Sequence, residues 1–247
     1  MVWRKDDMAR IRLFVDQPLG PGQPVPLAEA QAHYLFAVMR LEPGAVLSIF
    51  NGRDGEWRAT VEKAGRRGAV LTCVEQTAPL RLPPDLWLLF APLKKARTDF
   101  IVEKATELGA ARILPVQTDF TNSERIRQDR LQAHAVEAAE QCGGTFVPEV
   151  ADLVPLDRLL ADWPADRRIL WCNEHLTGAR HALLREGVRG PWAVLIGPEG
   201  GFSEREQARL AAMPQVVQAS LGPRILRADT AAVAALTLWQ AVLGDWV

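Results

Sequence analysis

The sequence predicts an α/β protein preceded by a smaller β-rich domain, and three observations carry that expectation. First, the apolar run Trp192 to Ile196 ends in a glycine-rich loop, Gly197-Pro198-Glu199-Gly200-Gly201, and Ser203 with Glu206 forms an S-x-x-E capping box that opens a helix at once. Second, the same strand–loop–helix corner recurs: Val216 to Leu221 is apolar, Gly222-Pro223-Arg224-Ile225-Leu226-Arg227 is a loop, and Ala231 to Leu243 is an alanine-rich helix. Third, strand-like and helix-like segments alternate between residues 86 and 185, which implies a parallel sheet with helices on both faces. Ligands of such folds sit where strand ends meet helix starts.

Taken in order, residues 10 to 80 have β character. Arg10 to Val15 reads as an opening strand, and Gln17 to Pro26, with four prolines and two glycines, as an irregular loop. Glu29 to Arg40 has helical spacing, with Ala30, Tyr34, Ala37 and Leu41 on one face. Val46 to Phe50 is a strand, Asn51-Gly52 a turn, and Trp57 to Val61 alternates in period two. Gly65 to Gly68 turns again before a strand from Ala69 to Val74. Short strands punctuated by turns predict a small barrel over 1–80. Pro79 to Pro84, with three prolines, is the expected linker, and a second domain follows over 84–247.

In that second domain Leu86 to Ala91 reads as a buried strand. A helix follows from Ala96 to Leu108, with Phe100, Ala105 and Leu108 inward and Gly109 ending it. Ile113 to Val116 is a strand, Glu124 to Gln141 a long amphipathic helix, Leu156 to Ala161 a short helix, Ile169 to Cys172 a strand and Ala179 to Arg185 a helix. The two glycine corners complete it.

A chain of 247 residues with 48% hydrophobic and 24% charged residues fits an ordinary globular protein. The formal charge of −1 and pI of about 6.4 argue against an overall basic nucleic-acid binder but leave room for a local basic patch. Cys73, Cys142 and Cys172 lie far apart and none forms a C-x-x-C pair. Reduced thiols, a cytoplasmic protein and no metal site are the expectation. Residues 1–12 lack the apolar centre of a signal peptide, no apolar run reaches membrane-spanning length, and His33, His134, His175 and His181 show no ligand spacing. A dinucleotide-dependent oxidoreductase is disfavoured, because G-x-G-x-x-G after an early strand is missing and the glycine loop lies near the C-terminus.

The motifs GPEGGFS (197–203) and LGPRILRADTA (221–231) resemble those of the RsmE-type family of SPOUT methyltransferases, which methylate N3 of a uridine in small-subunit (16S) ribosomal RNA. The resemblance extends to His33-Tyr34-Leu35, Val38 to Leu41, Gly44, Lys94-Lys95, Glu103 to Gly109 and Glu137 to Gly143. It implies a PUA-like RNA-binding barrel, a SPOUT domain with a C-terminal trefoil knot, S-adenosylmethionine as cofactor, ribosomal RNA as partner, with the assembled small subunit the expected form, and a homodimer. The face of Leu236, Trp239 and Val242 is a candidate for the dimer interface or for internal core. The alternative is a non-catalytic RNA-binding protein that keeps the fold.

Carried onto this sequence, the resemblance implies three loops around the cofactor: Asn173 and Glu174, Gly197 to Gly201, and Leu221 to Leu226. Ile196, Leu221, Ile225 and Leu226 would form an apolar slot for adenine, and the backbone of Gly197, Gly200, Gly201 and Gly222 would contact ribose and base, with Pro198 stiffening the loop. Glu199 would accept from ribose or face the sulfonium. Removing the N3 proton of uracil spreads charge onto O2 and O4. Arg227 is the expected group to stabilise it, because a guanidinium holds two acceptors in one plane. Asp229 is expected as base or as orienter of Arg227, one carbon shorter than the family's usual Glu. Lys94, Lys95, Arg97, Arg224 and Arg40 are the expected RNA contacts. Two arginines common in the family are replaced: Thr121-Asn122-Ser123 lacks one, and Gly144 stands where the other is usual.

Overall fold

The computed structural model describes residues 11–65, 68–122, 125–173 and 188–246. The expected helix Ala179 to Arg185, Glu174, His175, His181, Arg66, Arg67, Ser123 and Glu124 lie outside the described residues. The chain divides into two compact units, residues 1–82 with 139–146, and residues 83–138 with 147–247.

The first unit is a five-stranded sheet built from β1 (Arg12–Phe14), β2 (Pro24–Pro26), β3 (Val46–Phe50), β4 (Glu56–Lys63) and β5 (Val70–Ala78), in the order β1-β3-β4-β5-β2. β1 runs parallel to β3 and the remaining pairs are antiparallel. Alternation along β4 sends Trp57, Ala59 and Val61 inward against Leu13, Val25, Ile49 and Leu71. Trp57 is therefore core, and its indole donates to the Asp54 carbonyl at 2.9 Å. The stretch expected to be irregular contains β2, an edge strand. Val25 is buried against β5, and an edge position tolerates the prolines on either side of it.

The helix expected over Glu29 to Arg40 breaks in two. α1 (Glu29–His33) passes into a π-helical turn over Tyr34–Val38, closed by the Met39 N–H donating to the Tyr34 carbonyl at 2.9 Å. Ala32 and Leu35 point inward and Leu41 packs partly against the same core as expected, while Ala30, Tyr34 and Ala37 are exposed. Arg40 ends this segment at φ +56°, left-handed backbone that non-glycine residues seldom adopt.

The second unit holds β6 (Leu86–Phe90), α2 (Lys95–Glu107), β7 (Arg112–Gln117), α3 (Gln128–Cys142), β8 (Glu149–Val150), β9 (Val154–Pro155), α4 (Leu156–Ala161), β10 (Arg168–Cys172), β11 (Trp192–Ile196), α5 (Glu204–Ala212), β12 (Val216–Ala219) and α6 (Ala228–Val242). The last residues of α3, from Ala139, belong to the first unit. The sheet runs β12-β10-β11-β6-β7-β8 with β9 also beside β7, and every pairing is parallel. Both faces are covered, so the strands read as continuous apolar runs. Leu86, Leu88, Phe90, Trp192, Val194 and Ile196 face a core shared with α2, α3 and α6. Leu89, Ala193, Leu195, Ile169 and Trp171 face one shared with α4 and α5.

Three sequence expectations shift. Ala105 is buried and Leu108 packs against the core as expected, but Phe100 is partly exposed, and α2 also buries Thr98, Asp99, Ile101, Val102 and Thr106. α3 begins at Gln128, not Glu124. α6 begins at Ala228, three residues before the expected start, which puts Asp229 and Thr230 inside its first turn. Leu236 and Trp239 are fully buried in the sheet core, which assigns that face to internal packing. Gly109 terminates α2 at φ +74°, and a Cβ there would sit 2.9 Å from Nε2 of the buried Gln240. That amide donates to the Leu108 carbonyl at 2.7 Å, so α6 caps the end of α2.

Candidate functional site

β12, β10 and β11 are adjacent and parallel, so their C-terminal ends open onto one edge of the sheet. A cavity of about 440 Å³ lies there, within the usual range for small-molecule sites. Trp171, Cys172 and Asn173 enter from the end of β10. Ile196 to Phe202 come from the end of β11, with Gln207 behind them on α5, and Ile225, Leu226, Arg227, Ala228 and Ala231 close the far side.

The first wall is tightly built. The Gly201 N–H donates to the Pro198 carbonyl at 2.9 Å, and Gly201 takes φ +70°. Gly197 packs under the Phe202 ring, where an added Cβ would lie 2.8 Å from a ring carbon. Phe202 in turn meets Trp171 edge to face, with ring centroids 6.0 Å apart. The capping box forms as expected: the Glu206 N–H donates to Ser203 Oγ, and the Ser203 N–H donates to Glu206 Oε2 at 2.9 Å. Glu206 is buried, and its other oxygen accepts from the Asp119 N–H at 2.9 Å. Ser203 Oγ donates to Asp119 Oδ2 at 2.6 Å, and Arg205 adds contacts to Asp119 and Asp157. These donors hold the Asp119 carboxyl below the usual carboxylate range, the Ser203 hydroxyl contributing most. The loop after β7 is thereby pinned to the start of α5, with the Phe120 side chain against Gly200.

The second wall is open. Ser220 Oγ accepts from the Gly222 N–H at 3.3 Å, and Gly222 turns the chain at φ +122° with open space where a side chain would be. Pro223 to Leu226 make no hydrogen bond to the described residues. Ile225 lines the cavity yet is 82% exposed, an unusual placement for a large aliphatic side chain.

Of the residues expected at a cofactor site, Asn173, Ile196, Gly197, Pro198, Glu199, Gly200, Gly201, Ile225 and Leu226 line the cavity. Leu221 packs partly into the sheet core instead, and Gly222 lies outside the lining, because β12 ends before them and the chain turns back. Glu174 lies outside the described residues. Asn173 is oriented by its Nδ2 donating to Gln218 at 3.2 Å. Burial pushes the Cys172 thiol up to about 12, so it lines the site as a neutral group.

Arg227 also lines the cavity, as the N-cap residue of α6, with no capping bond from its side chain. Thr230 lies in the first turn of α6, its N–H held by Asp229 Oδ1 at 3.0 Å. Arg97 reaches the glycine loop and the first turn of α6, with Nη1 3.8 Å from Glu199 Oε1 and Nε 3.7 Å from Asp229 Oδ2. Lys94 and Lys95 stay exposed at the start of α2, and Arg224 is exposed in the open loop. Arg40 belongs to the other unit. Sequence reasoning missed Trp171, Phe120 and Gln207, and the pairing of Arg97 with two carboxylates. Asp119 and Phe120, just before the Thr121-Asn122 departure, carried a usable signal: an acid and an aromatic directly after an apolar strand.

A parallel sheet with a partly apolar cleft at adjacent strand ends defines an α/β domain that binds a small ligand. Residues 80–240 match the RNA methyltransferase domain family and residues 27–72 the RNA methyltransferase PUA domain, and the chain belongs to this family. It is 28% identical to the ribosomal RNA small subunit methyltransferase E of Rickettsia conorii, covering 91% of this chain and 93% of the relative. It is 32% identical to the protein of that name from Synechocystis, covering 89% of this chain and 73% of the relative. Two solved structures share the fold along nearly the whole length. One is a methyltransferase from Legionella pneumophila in complex with S-adenosylmethionine (TM-score 0.86, 28% identity, 96% of this chain and 99% of that one). The other is a ribosomal RNA small subunit methyltransferase E from Neisseria gonorrhoeae bound to S-adenosylmethionine (TM-score 0.86, 26% identity, 96% and 100%).

Proposed function

We propose that this protein transfers the methyl group of S-adenosylmethionine to N3 of a uridine in 16S ribosomal RNA of the small subunit. The observation that carries the proposal is the cleft at the ends of β10 and β11 with Arg227 on its rim. The residues suit the cofactor: Ile196, Leu226 and the exposed Ile225 offer an apolar slot, and the glycine loop offers close backbone approach. When bound, the cofactor supplies an electrophilic methyl group on a sulfonium. The chain's own residues do the rest. Asn173 and the backbone of Gly197, Gly200 and Gly201 orient the ligand, with Glu199 at the ribose or sulfonium end. Arg227 faces the developing uracil anion and stabilises the charge on O2 and O4. The N3 proton leaves to solvent, and Asp229 serves as an ion-paired carboxylate that orders the cations around it.

RNA is held by Lys94, Lys95 and Arg224 beside the cleft and by Arg40 on the PUA unit, whose left-handed backbone fits a residue fixed for a contact. Arg97 shares the basic start of α2. The fold is a SPOUT domain with a trefoil knot. The strand order supports this, since β11 inserts between β10 and β6 and α6 returns from the edge strand β12 to pack beside α2. The protein acts as a cytoplasmic homodimer on the assembled subunit. Among the described residues no helix is long and apolar enough to cross a membrane and no cluster of metal-ligating side chains occurs.

The test is transfer from labelled S-adenosylmethionine to small subunits that lack the modification, followed by nucleoside mass spectrometry. Appearance of 3-methyluridine supports the assignment. A different methylated nucleoside would retain the enzyme class and overturn the position. Loss of both transfer and cofactor binding would leave an RNA-binding protein that only keeps the fold.

A further inference from the structure

Arg97 carries more than a surface charge. It occupies the first turn of α2, the end of a helix where a cation is disfavoured. Its partners account for that placement. The guanidinium stands 3.8 Å from Glu199 in the glycine loop and 3.7 Å from Asp229 in the first turn of α6, and only 35% of the side chain is exposed. Among the described residues neither carboxylate has another ion pair. The root of the side chain is fixed. The Arg97 N–H donates to the Lys94 carbonyl at 2.8 Å, and the buried Thr98 hydroxyl accepts from the Leu93 N–H at 2.9 Å and donates to the Leu93 carbonyl at 3.0 Å. Both ion-pair separations exceed those of a saturated charge-assisted hydrogen bond. The guanidinium therefore spans two acceptors instead of satisfying one, a task its planar fork performs and an ammonium does not.

The charges at the rim explain why this matters. Glu199 and Asp229 are two anions beside a site where a third, the uracil anion, must form. Arg227 alone would be drawn to the carboxylates. With Arg97 between them, one of the two negative charges is offset and Arg227 is left for the substrate. We infer that Arg97 is a positioning residue for methyl transfer, which joins the carboxylate of the glycine loop to that of the first turn of α6 and frees Arg227 to face the uracil. The inference rests on the methyltransferase reading above. It separates Arg97 from Lys94 and Lys95, whose exposed charges are free to meet phosphate.

A double-mutant cycle on the full-length protein tests it, with Arg97→Ala, Arg97→Lys, Asp229→Asn and the pair Arg97→Ala/Asp229→Asn. Each variant is assayed for S-adenosylmethionine affinity by calorimetry, for the maximal rate and half-saturating concentration with unmodified small subunits, and for thermal melting. Arg97→Ala is expected to lower the maximal rate by up to about 100-fold, as displaced site groups do. Its cofactor affinity stays within about threefold of wild type, because it removes no cofactor contact. Arg97→Lys remains impaired. The double variant recovers about tenfold over Arg97→Ala, because the unbalanced carboxylate is gone. Full activity in Arg97→Lys, with losses that multiply in the double variant and a raised half-saturating concentration, would make Arg97 a phosphate contact and overturn the inference. A parallel loss of cofactor affinity would place it in the cofactor pocket and overturn it equally. An inactive wild type would overturn the reaction on which the inference stands, and the inference with it.

Discussion

The two loops that face each other across the cleft are built in opposite ways. The loop after β11 is locked by a turn hydrogen bond, a capping box, a buried Glu206 and the Asp119 contacts, with Gly197 wedged under Phe202. The loop after β12 has Pro223 to Leu226 without a hydrogen bond to the described residues and presents Ile225 almost fully to solvent. The difference teaches that one wall of the site is finished by the chain, while the other is left for the ligand to finish. Change in the first loop should cost stability, and change in the second should cost binding or rate.

The largest effect is expected from the open loop. Arg227→Ala should reduce methyl transfer by about 10²–10³-fold, the usual loss when a donor to a developing anion is removed, with cofactor affinity nearly intact. Equal losses in rate and affinity would move Arg227 into the cofactor pocket. Ile225→Ala comes next. If the ligand covers this side chain, truncation should weaken cofactor binding by about 1.5–3 kcal/mol, roughly tenfold or more, with melting unchanged within about 0.5 kcal/mol. A drop in stability without loss of affinity would erase the contrast between the loops.

The locked loop should answer in the other currency. Gly197→Ala forces a methyl group against the Phe202 ring and is expected to cost about 1–3 kcal/mol of stability by overpacking, measured by denaturant unfolding. Ser203→Ala removes a helix cap and one donor to Asp119 and should cost about 1 kcal/mol. A melt as stable as wild type in either variant would show that the loop is not locked by these contacts.

The smallest effect concerns pH. The Asp119 carboxyl lies below its ordinary value in the folded protein, so its contribution is present above the unfolded carboxylate value of about 3.9 and is lost as pH falls through the folded value. Wild type and Asp119→Asn should differ slightly in melting temperature at pH 7 and converge in acid, once the pH has fallen through the folded-state value. A gap that widens in acid would contradict the anchoring role.

How far the sequence alone reaches follows the same division. β11, Ser203 and Glu206 were legible because an apolar run and a capping box are local signals, and both appear where the pattern put them. The start of α6 was not, because Arg227 occupies the N-cap position without a capping side chain, while the capping-type residues Asp229 and Thr230 lie inside the first turn. The buried face of residues 29–40 was misread because Ala30, Tyr34 and Ala37 on one side and Ala32, Leu35 and Phe36 on the other both fit helical spacing, so periodicity alone did not choose between them. In the site, the glycine loops declared themselves by composition. The contact of Arg97 with Glu199 and Asp229, and the pinning of Asp119 by Ser203, join residues distant in the chain and arise only once the parallel sheet brings α2, α5 and α6 to one edge.

Hydrogen–deuterium exchange with and without S-adenosylmethionine tests the two-wall account most directly. On cofactor binding, amides of residues 222–227 should gain strong protection, while those of Gly201 and Ser203, which already donate to the Pro198 carbonyl and to Glu206, should change little. Protection confined to residues 197–203, with 222–227 unchanged although the cofactor is bound, would contradict it.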